Sequence, residues 1–402
     1  MGSDCTLNVL WEPAFLQYDF GADHPFTERS RWMAVRLLDA IGFFDHPEPT
    51  SPRWESNIVP ATRDELGLFH SPKYLDTVER VSRSLSSHPL DAGDTPSFPG
   101  CYDAAAALCG GTLTGVRLAR ERPTQHAFNP GGGLHHAHAG NASGFCIFND
   151  LAVSIRALHE TAPTVRRVAY IDIDVHHGDG VMYGFYDDGG VLDIDFHQDG
   201  RTIFPGTGFA TEVGQGDGAG LKVNIPLPPD VGDEAFIPLF EQIVPTMVRA
   251  YRPEMIILQC GQDAHVGDRL GNLQYTSASY GRAVELVHKL AHELCKGRLV
   301  VTGGGGYNPA NVSRGLARVA LALGEHSPGR RLADPIPIEW RQEFHREFHL
   351  PAPEAWQESI PPDPSPWTPG RSAELLRALS DRLGVHWDRS ELTEKSKGSG
   401  PV

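Results

Sequence analysis

The segment Tyr170-Ile-Asp-Ile-Asp-Val-His-His-Gly-Asp-Gly180 crowds carboxylates and imidazoles into a run whose other residues are apolar. In an extended strand alternate side chains share a face, which sets Asp172, Asp174 and His176 on one side and Ile171, Ile173 and Val175 on the other. Carboxylates buried this way are costly unless a cation compensates them. Asp and His two residues apart at a strand end suit a divalent metal. A wet edge strand is the alternative, but the flanking sequence is too apolar for one and the Gly178-Asp-Gly180 turn follows at once. Asp263 stands just beyond another apolar run, Ile256-Ile-Leu-Gln-Cys-Gly-Gln-Asp263. Asp174, His176 and Asp263 together make the three protein ligands of a catalytic zinc site with its fourth position open. Taken alone, Asp263 could equally cap a turn or helix.

Two glycine-rich loops carry the remaining chemistry. Pro130-Gly-Gly-Gly-Leu-His-His-Ala137 places His135 and His136 side by side on a loop whose backbone can approach a ligand closely. Two imidazoles can divide general-base and general-acid work, provided a carboxylate orients each. Asp172 and Asp179 are the available partners. Gly303-Gly-Gly-Gly-Tyr307 puts a phenol where it could donate a hydrogen bond to a developing oxyanion. The same loop could cradle phosphate, but it lacks a GxGxxG spacing and a following P-loop lysine.

These residues need a scaffold that collects strand ends. Strands are expected at Gln125–Asn129, Arg167–Val175, Gly190–His197, Leu221–Leu227, Met255–Gly261 and Leu299–Thr302, with helices near Asp103–Arg120, Asp150–Glu160, Asp233–Tyr251, Ser277–Cys295 and Pro309–Leu323 between them. That alternation predicts an α/β fold with a mainly parallel sheet covered on both faces, and ligands beyond the carboxyl ends of its strands. The first ~100 residues read as a helical and loop-rich flank with Glu28–Ile41 as its best helix. The Pro-rich stretch 324–370, with Trp340, Trp356 and Trp367, reads as a tail packed on the domain. Asp363-Pro-Ser-Pro-Trp367 is expected to turn into a last helix, Arg371–Leu383. Residues 1–390 are taken as one catalytic domain and 391–402 as disordered.

Bulk composition narrows the partners. The chain has 402 residues, 40% hydrophobic and 21% charged, as in ordinary soluble proteins. Its formal charge is −16, which argues against a general polyanion surface and hence against nucleic acid. Cationic partners suit that charge. No apolar stretch approaches the ~20 residues of a membrane span, and no leader peptide is recognisable. The six cysteines form no CxxC pair and read as reduced and mostly buried. A cytoplasmic enzyme, as a monomer or an oligomer, is the expectation.

Taken in order, GGGLHHA, ASGFCIFND, YIDIDVHHGDG, FPGTG, LQCGQDAHVGDRLG and GGGGYN span Gly131 to Asn308. Their sequence and order resemble the zinc-dependent histone deacetylase family. Tyr18–Phe26 (YDFGADHPF) and the EW-containing tail are similar to the bacterial acetoin-utilisation-type deacetylases. The resemblance implies the arginase/deacetylase α/β fold and hydrolysis of a linear amide. It implies that Asp174, His176 and Asp263 bind zinc, a set that also accepts iron(II). By position, His135 and His136 match the catalytic pair, Asp172 and Asp179 their carboxylate partners, and Tyr307 the tyrosine that polarises the amide carbonyl. Phe145 and Phe204 match the walls of an acyl-lysine tunnel, with Gly144 beside one and Leu270 near the mouth. Asp94 matches a rim aspartate that holds the substrate backbone.

A structural potassium ion is also implied, at Asp172, Asp174, His176, Asp195 and Phe196. Here the chain departs: Asp195 stands where many relatives have serine. Six positions beyond His24 many relatives have arginine, said to line an acetate-release cavity; here Ser30 occupies it, between Arg29 and Arg31. The implied substrate is acyl-lysine in a protein or peptide, with acetylated polyamines or other small acylated amines as the alternative. Two other readings fare worse. An arginase-type ureohydrolase needs a DxHxD pattern that Asp174-Val-His-His lacks, and a binding protein on an inactive scaffold would be expected to have lost a ligand or Tyr307.

Overall fold

A computed structural model describes residues 6–383, apart from 46–47, 49–50, 92, 122–124, 163, 325–331 and 359–366. Among these residues eight strands form one sheet: β1 (Thr6–Leu10), β2 (Arg53–Glu55), β3 (Gln125–Asn129), β4 (Val168–Asp172), β5 (Val191–Gln198), β6 (Lys222–Leu227), β7 (Met255–Gln259) and β8 (Leu299–Thr302). Their order is β2-β1-β3-β8-β7-β4-β5-β6, and every pairing is parallel. Parallel neighbours need crossovers, and helices supply them. The principal helices are α1 (Arg29–Ala40), α2 (Arg63–Leu66), α3 (Pro72–Ser82), α4 (Cys101–Glu121), α5 (Asp150–Thr161), α6 (Asp179–Gly184), α7 (Asp233–Tyr251), α8 (Ser277–Leu294), α9 (Pro309–Gly324), α10 (Ile338–Phe348) and α11 (Pro369–Leu383).

Apart from the edge strand β2, the strands are buried on both faces, as a covered parallel sheet requires. Phe128, Ile171, Leu258 and Val301 point into the larger core, shared with residues of α1, α7, α8 and α9. Their chain neighbours Ala127, Tyr170, Ile257 and Val300 point into a smaller core with Leu151, Ile155 and Leu158 of α5. β4 is central, between β7 and β5, so the wet-edge reading of its sequence does not hold.

Two sequence expectations need correction. The N-terminal region is not only helix and loop: β1 is fully buried and pairs with both β2 and β3. Its partners lie far along the chain. The strand over Arg167–Val175 stops at Asp172, because the chain bends away there and Ile173 to His176 belong to the turn beyond the sheet. Helices α6 and α10 are not expected from the sequence; α2 and α3 lie in the flank read as helical, and α3 begins at a Ser71 cap whose hydroxyl accepts the Tyr74 N–H. The tail does pack down. Trp340 and Trp356 are buried, and Trp340 donates its indole N–H to the Met33 carbonyl of α1 at 2.8 Å. Cys5, residues 363–366 of the expected turn, and residues 391–402 lie outside the described residues.

Candidate active site

Every chemically unusual segment leaves the carboxyl end of a strand. The histidine loop follows β3, the Asp172–His176 turn ends β4, Asp195 sits in β5, Asp263 follows β7, and the four-glycine loop follows β8. Asp174, His176 and Asp263 meet there, all buried. His176 Nδ1 lies 3.3 Å from Asp174 Oδ1 and 3.1 Å from Asp263 Oδ2. Tetrahedral zinc with bonds of about 2.1 Å holds its ligand atoms roughly 3.4 Å apart, so these spacings fit that ion. The other carboxylate oxygens are already engaged. Asp174 Oδ2 accepts from the Gly305 N–H at 2.7 Å and from Gln259 Nε2 at 2.8 Å, and Asp263 Oδ1 accepts from the Val175 N–H at 2.9 Å. One oxygen per aspartate is thus turned toward His176, which suits one ion and not a bridged pair. The Gly305 contact requires glycine, since a Cβ there would stand 1.9 Å from Asp263 Oδ2.

The histidine pair is held by two carboxylates. His135 Nδ1–H donates to Asp172 Oδ2 at 2.8 Å, and His136 Nδ1–H donates to Asp179 Oδ1 at 2.7 Å. Tyr170 also donates to Asp172, and His138 to Asp179. With both Nδ1 atoms protonated, the Nε2 atoms lie 3.0 Å apart, close enough for a shared proton. The environments divide that proton unequally. Burial disfavours a charged His135, but Asp172 and Asp174 outweigh it and lift its pKa to about 10. Burial and the neighbouring His135 lower that of His136 to about 4. Burial raises Asp179, yet its bonds to His136 and His138 hold it well below the usual carboxylate range. Tyr307, raised by burial and by Asp263 and Asp174, stays a neutral phenol able to donate.

Phe204 and Phe145 lie beside this centre. The Phe204 ring packs 5.0 Å from His136 and 6.2 Å from His176, while Phe145 lies 5.8 Å from Tyr307. Gly144, with φ +53°, fits between His136 and Phe204, where a Cβ would come within 2.4 Å of the imidazole. Phe204 and Leu270 are about two-fifths exposed, so they lie toward the mouth. Asp94 reaches the same rim: the Phe145 N–H donates to Thr95 Oγ1 at 3.0 Å, and Thr95 Oγ1 donates to Asp94 Oδ1 at 3.2 Å.

Several contributors escape a reading of the sequence alone. Asp268 accepts the Tyr307 and Asn308 N–H groups at 2.8 and 3.1 Å. Asn149 caps α5 and also donates to the carbonyls of His135 and Ala137. His70 accepts the Asn149 N–H on Nε2 at 3.0 Å and donates from Nδ1 to the His138 carbonyl. Of the two candidate arginines, Arg29 is half-exposed and pairs with Glu347, whereas buried Arg31 donates to the Gly304 carbonyl beneath the site. The expected potassium residues also gather, with Asp172 and Asp195 in register on β4 and β5. Each of their carboxylate oxygens already accepts a hydrogen bond: Asp195 takes His197 at 2.6 Å and the Gly178 N–H at 2.7 Å, and Asp172 takes the Asp174 N–H, His135 and Tyr170.

A parallel α/β sheet with a buried Asp–His–Asp cluster and a carboxylate-held histidine pair at its strand ends defines a hydrolytic centre. The histone deacetylase domain matches residues 24–323. The chain is 36% identical over 356 residues to acetoin utilization protein AcuC of Bacillus subtilis (strain 168), covering 87% of this chain and 89% of that protein. It is 33% identical to AcuC of Staphylococcus xylosus, covering 84% and 87%, and 36% identical to histone deacetylase 9 of Arabidopsis thaliana, covering 73% and 68%. The chain belongs to the histone deacetylase family and is a deacetylase, a hydrolase. Among the described residues no helix is long and apolar enough to cross a membrane.

Proposed function

We propose that the protein removes the acyl group from acyl-lysine side chains of proteins or peptides, with zinc held by Asp174, His176 and Asp263. When bound, the ion would polarise the scissile carbonyl and make water a better nucleophile. The residues around it divide the rest. His136, beside the tunnel wall Phe204 and kept neutral, takes a proton from the attacking water. Tyr307 donates to the oxygen that gains charge. His136 then passes the proton to the departing amine, with His135 and Asp172 supporting the charge from behind. The observation that carries this reading is the 3.0 Å Nε2–Nε2 contact of two carboxylate-held imidazoles beside the Asp–His–Asp cluster. Iron(II) would suit the same ligands. A potassium ion near Asp172, Asp174, His176, Asp195 and Phe196 is part of the proposal; with the carboxylates already engaged, backbone carbonyls would be its main ligands.

Substrate choice rests on the rim. Phe145 and Phe204 suit an extended methylene chain, worth about 0.8 kcal/mol per buried CH₂. Asp94, tied to Phe145 through Thr95, is placed to hold a peptide N–H. His265, two residues after Asp263, turns away to Glu358 at 3.0 Å and offers nothing to a polyamine's distal ammonium. The test compares kcat/KM for an acetyl-lysine peptide with that for an acetylated polyamine. A ratio well above one is expected, and a ratio well below one overturns the protein-substrate reading. Asp94→Ala should impair the peptide more than free acetyl-lysine; equal loss on both removes its backbone-holding role. Elemental analysis of Asp174→Ala and Asp263→Ala should show loss of metal from this site, and full retention in both refutes the ligand assignment.

A further inference from the structure

At the amino ends of the strands, away from the catalytic centre, β3 opens with a buried histidine, His126. On α8, His288 and His292 are four residues apart and leave the same face of the helix. Both are half-buried, and both turn toward His126. The three rings enclose a common point, with centroids 4.6, 5.0 and 4.8 Å apart. His292 Nε2 lies 3.2 Å from His126 Nε2 and 3.0 Å from His288 Nε2.

The protonation pattern favours ligation. His126 Nδ1 lies 2.9 Å from the Gly297 carbonyl oxygen, which can only accept, so Nδ1 carries the proton and Nε2 of the neutral ring keeps its lone pair. His292 Nε2 can offer at most one hydrogen to its two nitrogen neighbours. Neutral imidazoles therefore cannot make two full hydrogen bonds among these three nitrogens.

We propose that His126, His288 and His292 form a second metal site, taking a borderline divalent ion of the zinc class. Their ligand atoms lie within 4.8 Å of one another. Three imidazole nitrogens, leaving a fourth position for water, match the tetrahedral preference of that ion, and nitrogen ligands select it over calcium or magnesium. The second histidine of α8 lies in its last turn, so an ion here clamps that end of the helix to the start of β3. The inference is independent of the deacylation chemistry, because none of the three residues touches that centre.

The test uses the full-length protein, stripped of metal with a chelator and dialysed against Zn²⁺. Wild type should retain two ions per chain, His288→Ala/His292→Ala one, and Asp174→Ala one. His292→Gln preserves helix and bulk, and should also retain one ion while deacetylating at the wild-type rate once zinc is restored. In the Asp174→Ala protein, added zinc should still raise the melting temperature, and the additional change His292→Gln should abolish that rise. Two ions retained by the histidine variants, or none by Asp174→Ala, overturns the proposal.

Discussion

At the residue scale, the proposed mechanism gives Tyr307 a single role, hydrogen-bond donation. Tyr307 is a neutral phenol whose backbone N–H is fixed by Asp268. Tyr307→Phe should fold, keep its metal and lose about 100- to 1000-fold in turnover, the usual loss for one preorganised oxyanion donor. Wild-type turnover would make the ring only a pocket wall. Asp268→Ala removes the acceptor for two N–H groups and lets that loop shift. A fall of roughly 10- to 100-fold in kcat, with metal content and KM little changed, is expected from misplacement of the phenol; a change confined to KM would refute this positioning role. The reacting groups were legible because carboxylates and imidazoles are conspicuous within apolar strand sequence. Their supporters were not. Gln259 looks like an ordinary strand-end residue, and Asp268 and Asn149 like ordinary loop and cap residues, until the fold shows which group each one meets. Arg29 and Arg31 show the same limit: two residues apart in sequence, they part only because α1 turns one outward and the other into the core.

At the element scale, the loop bearing His135 and His136 is braced from α5 as well as from its own strand. His70 is the outer part of that brace, and its Nε2 must stay unprotonated to accept the Asn149 N–H. Burial lowers its pKa from 6.5 to about 4. The unfolded chain therefore takes up a proton below about pH 6.5 that the folded protein refuses until about pH 4. Stability is fully present above that window and is lost as pH falls through it, by about 3 kcal/mol for this one group. Denaturant titrations at several pH values should show a shallower loss between pH 6.5 and 4 for His70→Gln than for wild type, and identical slopes would refute the assignment. Strands β3 to β8 and the long helices α4, α5, α7, α8 and α9 were legible from their apolar runs and periods, and only their ends moved, as where β4 stops at Asp172; the short helix α6 was not. β1 and β2 lie before the regular strand–helix alternation, and their membership in the sheet is decided by distant partners.

At the scale of the whole molecule, the Pro-rich tail closes over the helices and reaches the catalytic loops. Glu358 receives hydrogen bonds from His265 and Ser277, and α10 buries Trp340 against α1. Trp340→Ala should cost about 3–5 kcal/mol, as expected for a large buried aromatic. Chemical denaturation measures it, and a loss under about 1 kcal/mol would mean the tail is not part of the cooperative core. The strand order has a consequence for how the protein is made. β8 lies between β3 and β7, yet about 170 residues separate Asn129 at the end of β3 from Leu299 at the start of β8. At 5–20 residues per second, a ribosome takes roughly 10–30 s to cross that interval. Throughout it the nascent β3, joined by β7 only toward its end, exposes an edge that β8 will later cover. The two halves of the sheet can join only after nearly three-quarters of the chain has been synthesised. Non-local pairing of this kind folds slowly and leaves sticky edges waiting. The yield of active protein should therefore depend on how well those edges are protected during translation, more than on the stability of the finished fold.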